Sequence, residues 1–305
     1  MKRFPVLILL LCLLCCAAAA SAESGTGLPD LPDRLPAEYK KQLKNSGSSV
    51  EAVTYPSRDY TGDGQEVTKR ALVYLPAGYS EEQPYDLLIL CHGISGTEKD
   101  WGFHRKNCIA RNAVDHLIAN GEIRPLIIVM PNGRSTAKFN KLGWGNAKSF
   151  YTFGQELRND LLPWIDAHYS TYGSLTPDDP SASREHRYMA GLSMGGMQTI
   201  NIGMCECLDL FSAFGAFSAA PTSYTASEIA SRIAGFEDYP IRFFYSICGR
   251  KDSIAYKSAA AAAKDLPEYS SRLTAENWYW HECPGAHTFA VWNTGLYNFL
   301  RILGN

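Results

Sequence analysis

The sequence predicts an α/β fold in which a mainly parallel central sheet is covered by helices on both faces. Two observations carry this. Eight short, apolar, β-rich runs recur along the chain, and helical patterns separate most of the later ones. With 305 residues, 46% of them hydrophobic, the chain also has the material to bury a sizeable core.

Taken in order, the first segment is "MKRFPVLILLLCLLCCAAAASAES". Lys2 and Arg3 precede an apolar run from Val6 to Ala20, and Ala20-Ser21-Ala22 suits a signal peptidase. Residues 1–22 are therefore read as a secretion signal, which places the mature chain outside the cytoplasm. An uncleaved anchor is the competing reading, but the run is short for a spanning helix and ends in small residues. Lipoprotein processing fits less well, because Leu11, Leu14 and Cys15 precede the cysteines where a small residue is wanted. Residues 23–50, rich in Pro, Asp, Lys and Ser, read as an arm or linker that adds nothing to the core, with a short helix at "PAEYKKQLKN".

Residues 51–305 form the expected domain. Its strands are "EAVTY", "KRALVYLP", "YDLLILCHG", "PLIIVMPN", "HRYMAGLS", "FSAFGAFS", "IRFFYSICG" and "NWYWHECPG", the first two paired as an antiparallel hairpin at one edge. The clearest helices are "GQELRNDLLPWIDAHY", "SMGGMQTINIGMCE", "KSAAAAAKDL" and "TGLYNFLRIL". "MPNGRSTAKFNKLGWGNAKSF" is the longest stretch without periodicity, and such loops leave the carboxyl ends of strands, where ligands bind in this architecture.

Removing Lys2 and Arg3 from the 29 basic residues leaves a formal balance of −4 against 31 acidic ones, so no nucleic-acid or anionic-membrane partner is expected. Six cysteines remain after the signal (Cys91, Cys108, Cys205, Cys207, Cys248 and Cys283), and in an exported protein they are permitted to oxidise. Cys205-Glu206-Cys207 is a poor zinc pattern, with two ligands one residue apart and no second pair; buried thiols or a disulfide suit it better. No metal and no cofactor are expected.

The chemistry centres on "YMAGLSMGGMQT". Gly191-Leu192-Ser193-Met194-Gly195 fits G-x-S-x-G at a strand-to-helix turn too tight for side chains at the two glycines. A serine hydroxyl is a weak nucleophile and needs a base, an acid to orient that base, and donors for the oxyanion. Asp252, just past the strand in "FFYSICGRKDS", supplies the acid; its bland reading is a turn or helix-cap carboxylate. His287, in the Gly-containing loop of "HECPGAHTFAVW", supplies the base, while His281 lies inside a strand and suits a structural role. "LLILCHGISGTEKDW" provides an oxyanion turn, with the backbone N–H of Ile94 and of Met194 as donors and His92 shaping the turn. The chain order Ser193, Asp252, His287 is that of an α/β-hydrolase.

Six stretches, "HGISGTEKDW", "GEIRPLIIVMPN", "REHRYMAGLSMGGMQTINIG", "SAAPTSY", "CGRKDS" and "GAHTFAVWNTGLYNFL", running from about residue 68 to the end, resemble carbohydrate esterase family 1, which includes feruloyl esterase and acetyl xylan esterase domains. The resemblance implies an α/β-hydrolase fold, Ser193 as nucleophile, His287 as base, Asp252 as orienting acid, and no metal. Ser95 departs from the glycine usual in the oxyanion turn, and Thr288 from the aspartate that follows the histidine in many members. The implied partner is feruloylated or, second, acetylated xylan. An aromatic acyl group needs an apolar slot, for which Trp144, Phe150 and Tyr151 are candidates, with packing on the core as the alternative for each. The competing classes are a peptide-siderophore esterase or mycolyltransferase on the same fold, and a carbohydrate-binding or inactive hydrolase-like protein, which would have no need for the full catalytic set.

Overall fold

The computed structural model describes residues 28–304, so the signal reading of residues 1–22 lies outside the described residues. The strands are β1 (Ser49–Arg58), β2 (Glu66–Leu75), β3 (Asp86–Cys91), β4 (Leu126–Pro131), β5 (Arg187–Leu192), β6 (Ala213–Phe217), β7 (Phe243–Gly249) and β8 (Trp278–Cys283). They form one sheet in the order β1-β2-β4-β3-β5-β6-β7-β8. β1 and β2 are the expected antiparallel edge hairpin, β2 pairs antiparallel with β4, and every later pair is parallel. Each parallel strand therefore ends on the same edge of the sheet.

Strand residues alternate between two cores because successive side chains point to opposite faces. On β3, Leu87, Ile89 and Cys91 face one cluster, and Leu88 and Leu90 face the other. The first face is covered by α2 (Phe153–Glu156), a π-helical turn (Leu157–Leu161) and α3 (Leu162–His168), by the helix after β5, and by α5 (Ala226–Ile233) and α6 (Tyr256–Tyr269). That helix after β5 is α4 (Met194–Gln198), continued as a π-turn over Thr199–Met204. The second face carries α1 (Ile109–Ala119) and α7 (Phe289–Gly304).

The N-terminal arm corrects one expectation. From Leu28 onward it is part of the second core, with Leu35 and Tyr39 buried and Leu28 and Leu31 packed against them. The Leu35 N–H donates to Thr294 Oγ1 at 2.9 Å, and Asn298 Nδ2 donates to the Pro32 carbonyl at 3.1 Å. The expected helix there shrinks to one 3-10 turn, Glu38–Lys40, whose Ala37 cap offers no side-chain acceptor. All six described cysteines are buried and free, so Cys205 and Cys207 take the thiol form of the two readings left open for them.

Candidate active site

Ser193 stands at the junction of β5 and α4 with φ 53° and ψ −114°, a left-handed conformation that a non-glycine residue adopts only under strain. The strain aims its side chain out from the sheet edge, and the surroundings hold it there. A Cβ on Gly191 would lie 2.5 Å from the Gly195 carbonyl group, and one on Gly195 would lie 2.6 Å from the Cys91 oxygen, so both positions require glycine. The Ser193 N–H donates to the Phe217 carbonyl at 2.9 Å, and its own carbonyl accepts from Ala220 at 2.9 Å.

Asp252 and His287, 35 residues apart in sequence, meet at 2.8 Å between Oδ2 and Nδ1. The loop after β7 places the aspartate, and the loop between β8 and α7 places the histidine. The second carboxylate oxygen of Asp252 accepts from the N–H groups of Ile254 at 3.0 Å and Ala255 at 2.9 Å. Burial works to raise the Asp252 pKa, but the hydrogen bonds from His287, Ala255 and Ser218 outweigh it and hold the carboxyl down at about 2. Asp252 is thus a carboxylate throughout the neutral range, able to orient the imidazole and offset positive charge on it. Ser193 Oγ makes no hydrogen bond to His287 in this structure; such contacts tighten when substrate arrives.

The sign of the linked stability effect follows. The folded pKa of Asp252 lies below the ~3.9 of an unfolded chain, so its contribution is present above that value and is lost as pH falls through about 2. The Asp252→Asn variant should therefore lose less stability than wild type between about pH 4 and 2 in denaturant titrations. Parallel losses in the two proteins would contradict the assignment.

The oxyanion turn after β3 lies against the elbow, since a Cβ on Gly93 would sit 3.5 Å from Ser193 Cβ. The N–H groups of Ile94 and Met194 have no acceptor among the described residues, as donors reserved for an oxyanion would. The Gly93 carbonyl, in the same peptide as the Ile94 N–H, accepts from the Gly96 N–H at 3.0 Å, and the next carbonyl, that of Ile94, accepts from Arg134 Nη2 at 2.5 Å and from the Gly143 N–H at 3.3 Å. Arg134 Nη1 holds the Gly96 carbonyl at 2.8 Å. His92 takes the structural role expected of it: Nε2 accepts from the Gly133 N–H at 3.1 Å, which leaves Nδ1–H to donate to the Gly93 carbonyl at 2.7 Å. Burial, reinforced by the Arg134 charge, pushes its pKa down to about 3, so the ring stays neutral. His281 is also structural, tied to Tyr245 at 2.8 Å and Asp33 at 2.9 Å.

Behind this turn lies a buried ion pair that sequence reasoning missed. Lys69 Nζ donates to both oxygens of Glu156 at 2.9 and 2.8 Å and to the carbonyls of Asn132 and Arg134 at 3.0 and 2.6 Å. Tyr55 completes the shell by donating to Glu156 at 2.6 Å. Gln198 adds a second brace, donating to the carbonyls of Gly133 at 2.8 Å and Phe150 at 3.0 Å. No local signal marks Lys69, which sits in a strand as any half-exposed lysine would.

The three candidate acyl-contact residues separate. Trp144 is 63% exposed and follows Gly143, whose N–H reaches the oxyanion turn, and Tyr151 is 40% exposed. Phe150 is fully buried, with the Arg134 guanidinium 4.9 Å above its ring and His92 against its edge. It supports the turn from behind and presents no face to a ligand, so the expectation of an acyl contact is corrected to the core-packing alternative for this residue.

The sheet order, the strained serine elbow and the histidine–carboxylate pair at the carboxyl edge define an α/β-hydrolase. The chain belongs to the esterase family described as "Putative esterase", whose model matches residues 66–301. It is 35% identical over 238 residues to endo-1,4-beta-xylanase Y of Acetivibrio thermocellus, covering 74% of this chain and 21% of that protein. It is 31% identical over 281 residues to an endo-1,4-beta-xylanase/feruloyl esterase of Xylanibacter ruminicola, covering 90% and 33%. The chain thus spans a fifth to a third of the length of these relatives. Among solved structures it superposes on a mutant of the feruloyl esterase module from Clostridium thermocellum complexed with sinapinate, with TM-score 0.72, 26% identity and coverage of 88% and 92%. It shares the fold of a CE1 ferulic acid esterase from the anaerobic fungus Anaeromyces mucronatus, with TM-score 0.69, 22% identity and coverage of 90% and 97%. These matches agree with the family resemblance carried by the sequence motifs.

Proposed function

We propose that this chain is an exported serine esterase that releases feruloyl groups from xylan-type polysaccharide. The observation that carries the reading is the strained Ser193 elbow on the same sheet edge as the 2.8 Å His287–Asp252 pair. In the proposed reaction Ser193 Oγ attacks the ester carbonyl while His287 Nε2 takes its proton. The tetrahedral oxyanion is held by the N–H groups of Ile94 and Met194. His287 then gives the proton to the departing sugar oxygen, and water repeats the sequence to release the acid. Feruloyl is favoured over acetyl because Trp144 and Tyr151 offer exposed aromatic surface, Trp144 beside the Gly143 N–H that reaches the oxyanion turn, and because one matching relative is named an endo-1,4-beta-xylanase/feruloyl esterase and one solved neighbour is a feruloyl esterase module.

A feruloyl ring presents a large apolar face where an acetyl group has one methyl, so the two acyl groups differ in what they ask of Trp144. The Trp144→Ala variant should lose at least about tenfold in kcat/KM for methyl ferulate, ~1.4 kcal/mol, while a chromogenic acetate ester changes by less than about threefold. Equal losses on both would make Trp144 a support of the fold, and efficient acetate release without ferulate release would move the assignment to acetyl xylan. Export rests on the Ala20-Ser21-Ala22 site. Amino-terminal sequencing of the exported protein should begin at Glu23, and recovery of the intact leader would contradict cleavage.

A further inference from the structure

A cleft of about 700 Å³ lies between the N-terminal arm, the start of α1 and the loop that carries His287. Its apolar surface comes from Leu35, Ile109 and Phe289, the last 37% exposed, and its polar lining includes Arg34, Lys40, Arg250 and Lys251. Arg250 is paired with Glu282, and Asp33 is turned to His281. Arg34, Lys40 and Lys251 have no carboxylate partner among the described residues. Three unpaired cations around one cleft run against the formal net charge of −2 of the whole chain. Asn293 also lines the cleft, only 7% exposed, and its Oδ1 has no hydrogen-bond partner among the described residues. That oxygen is itself buried and is not presented to the cleft.

The chemistry of the reaction says which ligand half belongs here. His287 must protonate the departing alcohol, so that half of the ester leaves from beside the imidazole. Pro284, Gly285 and Ala286, which precede His287 in the chain, and Phe289 and Ala290, which follow it closely, are walls of this cleft. Trp144, offered to the acyl half, instead follows the Gly143 whose N–H reaches the oxyanion turn. We infer that the cleft receives the saccharide half of the ester and selects one that carries a carboxylate, such as a uronate-branched xylan segment. Sugar C–H faces pack on Phe289, and the carboxylate meets Arg34, Lys40 and Lys251. The inference rests on the proposed esterase reading for the role of His287, and so for which half of the ester leaves on this side.

Binding, not turnover, tests it. Calorimetric titration of the wild-type protein would compare xylotetraose bearing one glucuronic acid branch with plain xylotetraose. The acidic sugar should bind on the order of tenfold more tightly at low salt, and the difference should close near about 0.5 M salt. The double variant Arg34→Glu, Lys40→Glu, altered only at exposed positions, should lose that preference while keeping its melting temperature. Equal affinity for the two sugars in wild type, or an undiminished preference in the variant, would overturn the inference. Failure of wild type to hydrolyse methyl ferulate would instead overturn the esterase reading and leave the binding comparison decisive for the cleft.

Discussion

Replacing Ser193 with alanine is expected to lower ester turnover by roughly a thousandfold or more while leaving the melting transition in place. The two halves of this result have separate causes. In the proposed mechanism the hydroxyl forms the acyl intermediate, and without it His287 and Asp252 have no nucleophile to activate. The fold does not depend on that hydroxyl, because the strained turn is held by backbone hydrogen bonds to Phe217 and Ala220 and by the close approach of Gly195 to Cys91. Removing the side-chain oxygen touches none of these. Steady-state kinetics on methyl ferulate with parallel thermal melts checks both halves, and near-native activity in the variant would remove Ser193 from the mechanism.

The largest stability effect is expected at a residue that touches no substrate. Burial pushes the pKa of Lys69 down, while the Glu156 carboxylate works against that shift. Lys69→Met would leave the buried Glu156 without its counter-charge and strip a donor from the Asn132 and Arg134 carbonyls. Breaking one partner of such a pair costs about 3–5 kcal/mol, whereas replacing both by apolar groups is often close to neutral. Lys69→Met should therefore be severely destabilised, and adding Glu156→Met should recover a good part of the loss. The same lysine positions the loop that carries Arg134, which in turn holds the carbonyls of Ile94 and Gly96 in the oxyanion turn. Within whatever folded fraction remains, kcat should fall more than KM rises, because the oxyanion donor is displaced and not the ground-state contacts. Urea titration of the single and double variants decides the matter; equal stability of Lys69→Met and wild type would show that the pair carries no such role.

The strands and the candidate triad were legible because their signals are local. Ser193, Asp252 and His287 each follow an apolar run that ends in a glycine-containing turn, and the order of those turns suffices to place them on one edge. Two helices, α1 and α5, give weak signals in the sequence. α1 hides its periodicity because Asn112 and Asp115 occupy its buried face, where the Asp115 carboxylate accepts from Tyr74 at 2.8 Å. α5 is short, yet Thr225 and Glu228 form a capping box at its start, and that T-x-x-E spacing was the available signal. The arm looked like a linker because its apolar residues are few, and their burial depends on a helix nearly 260 residues away in sequence. Lys69 and Glu156, 87 residues apart, could not be paired from sequence for the same reason. Long-range polar contacts leave no pattern in a window of residues.

The central claim is that Ser193 carries the acyl group, and trapping that intermediate tests it most directly. Wild-type protein mixed with a feruloyl ester and quenched within the first turnover should show a feruloyl adduct by mass spectrometry, mapped to Ser193, with at most one adduct per chain. His287→Ala should form no adduct on the same timescale, since the base is needed for attack. A feruloyl adduct on another residue, or ferulate release at wild-type rate from Ser193→Ala, would contradict the account.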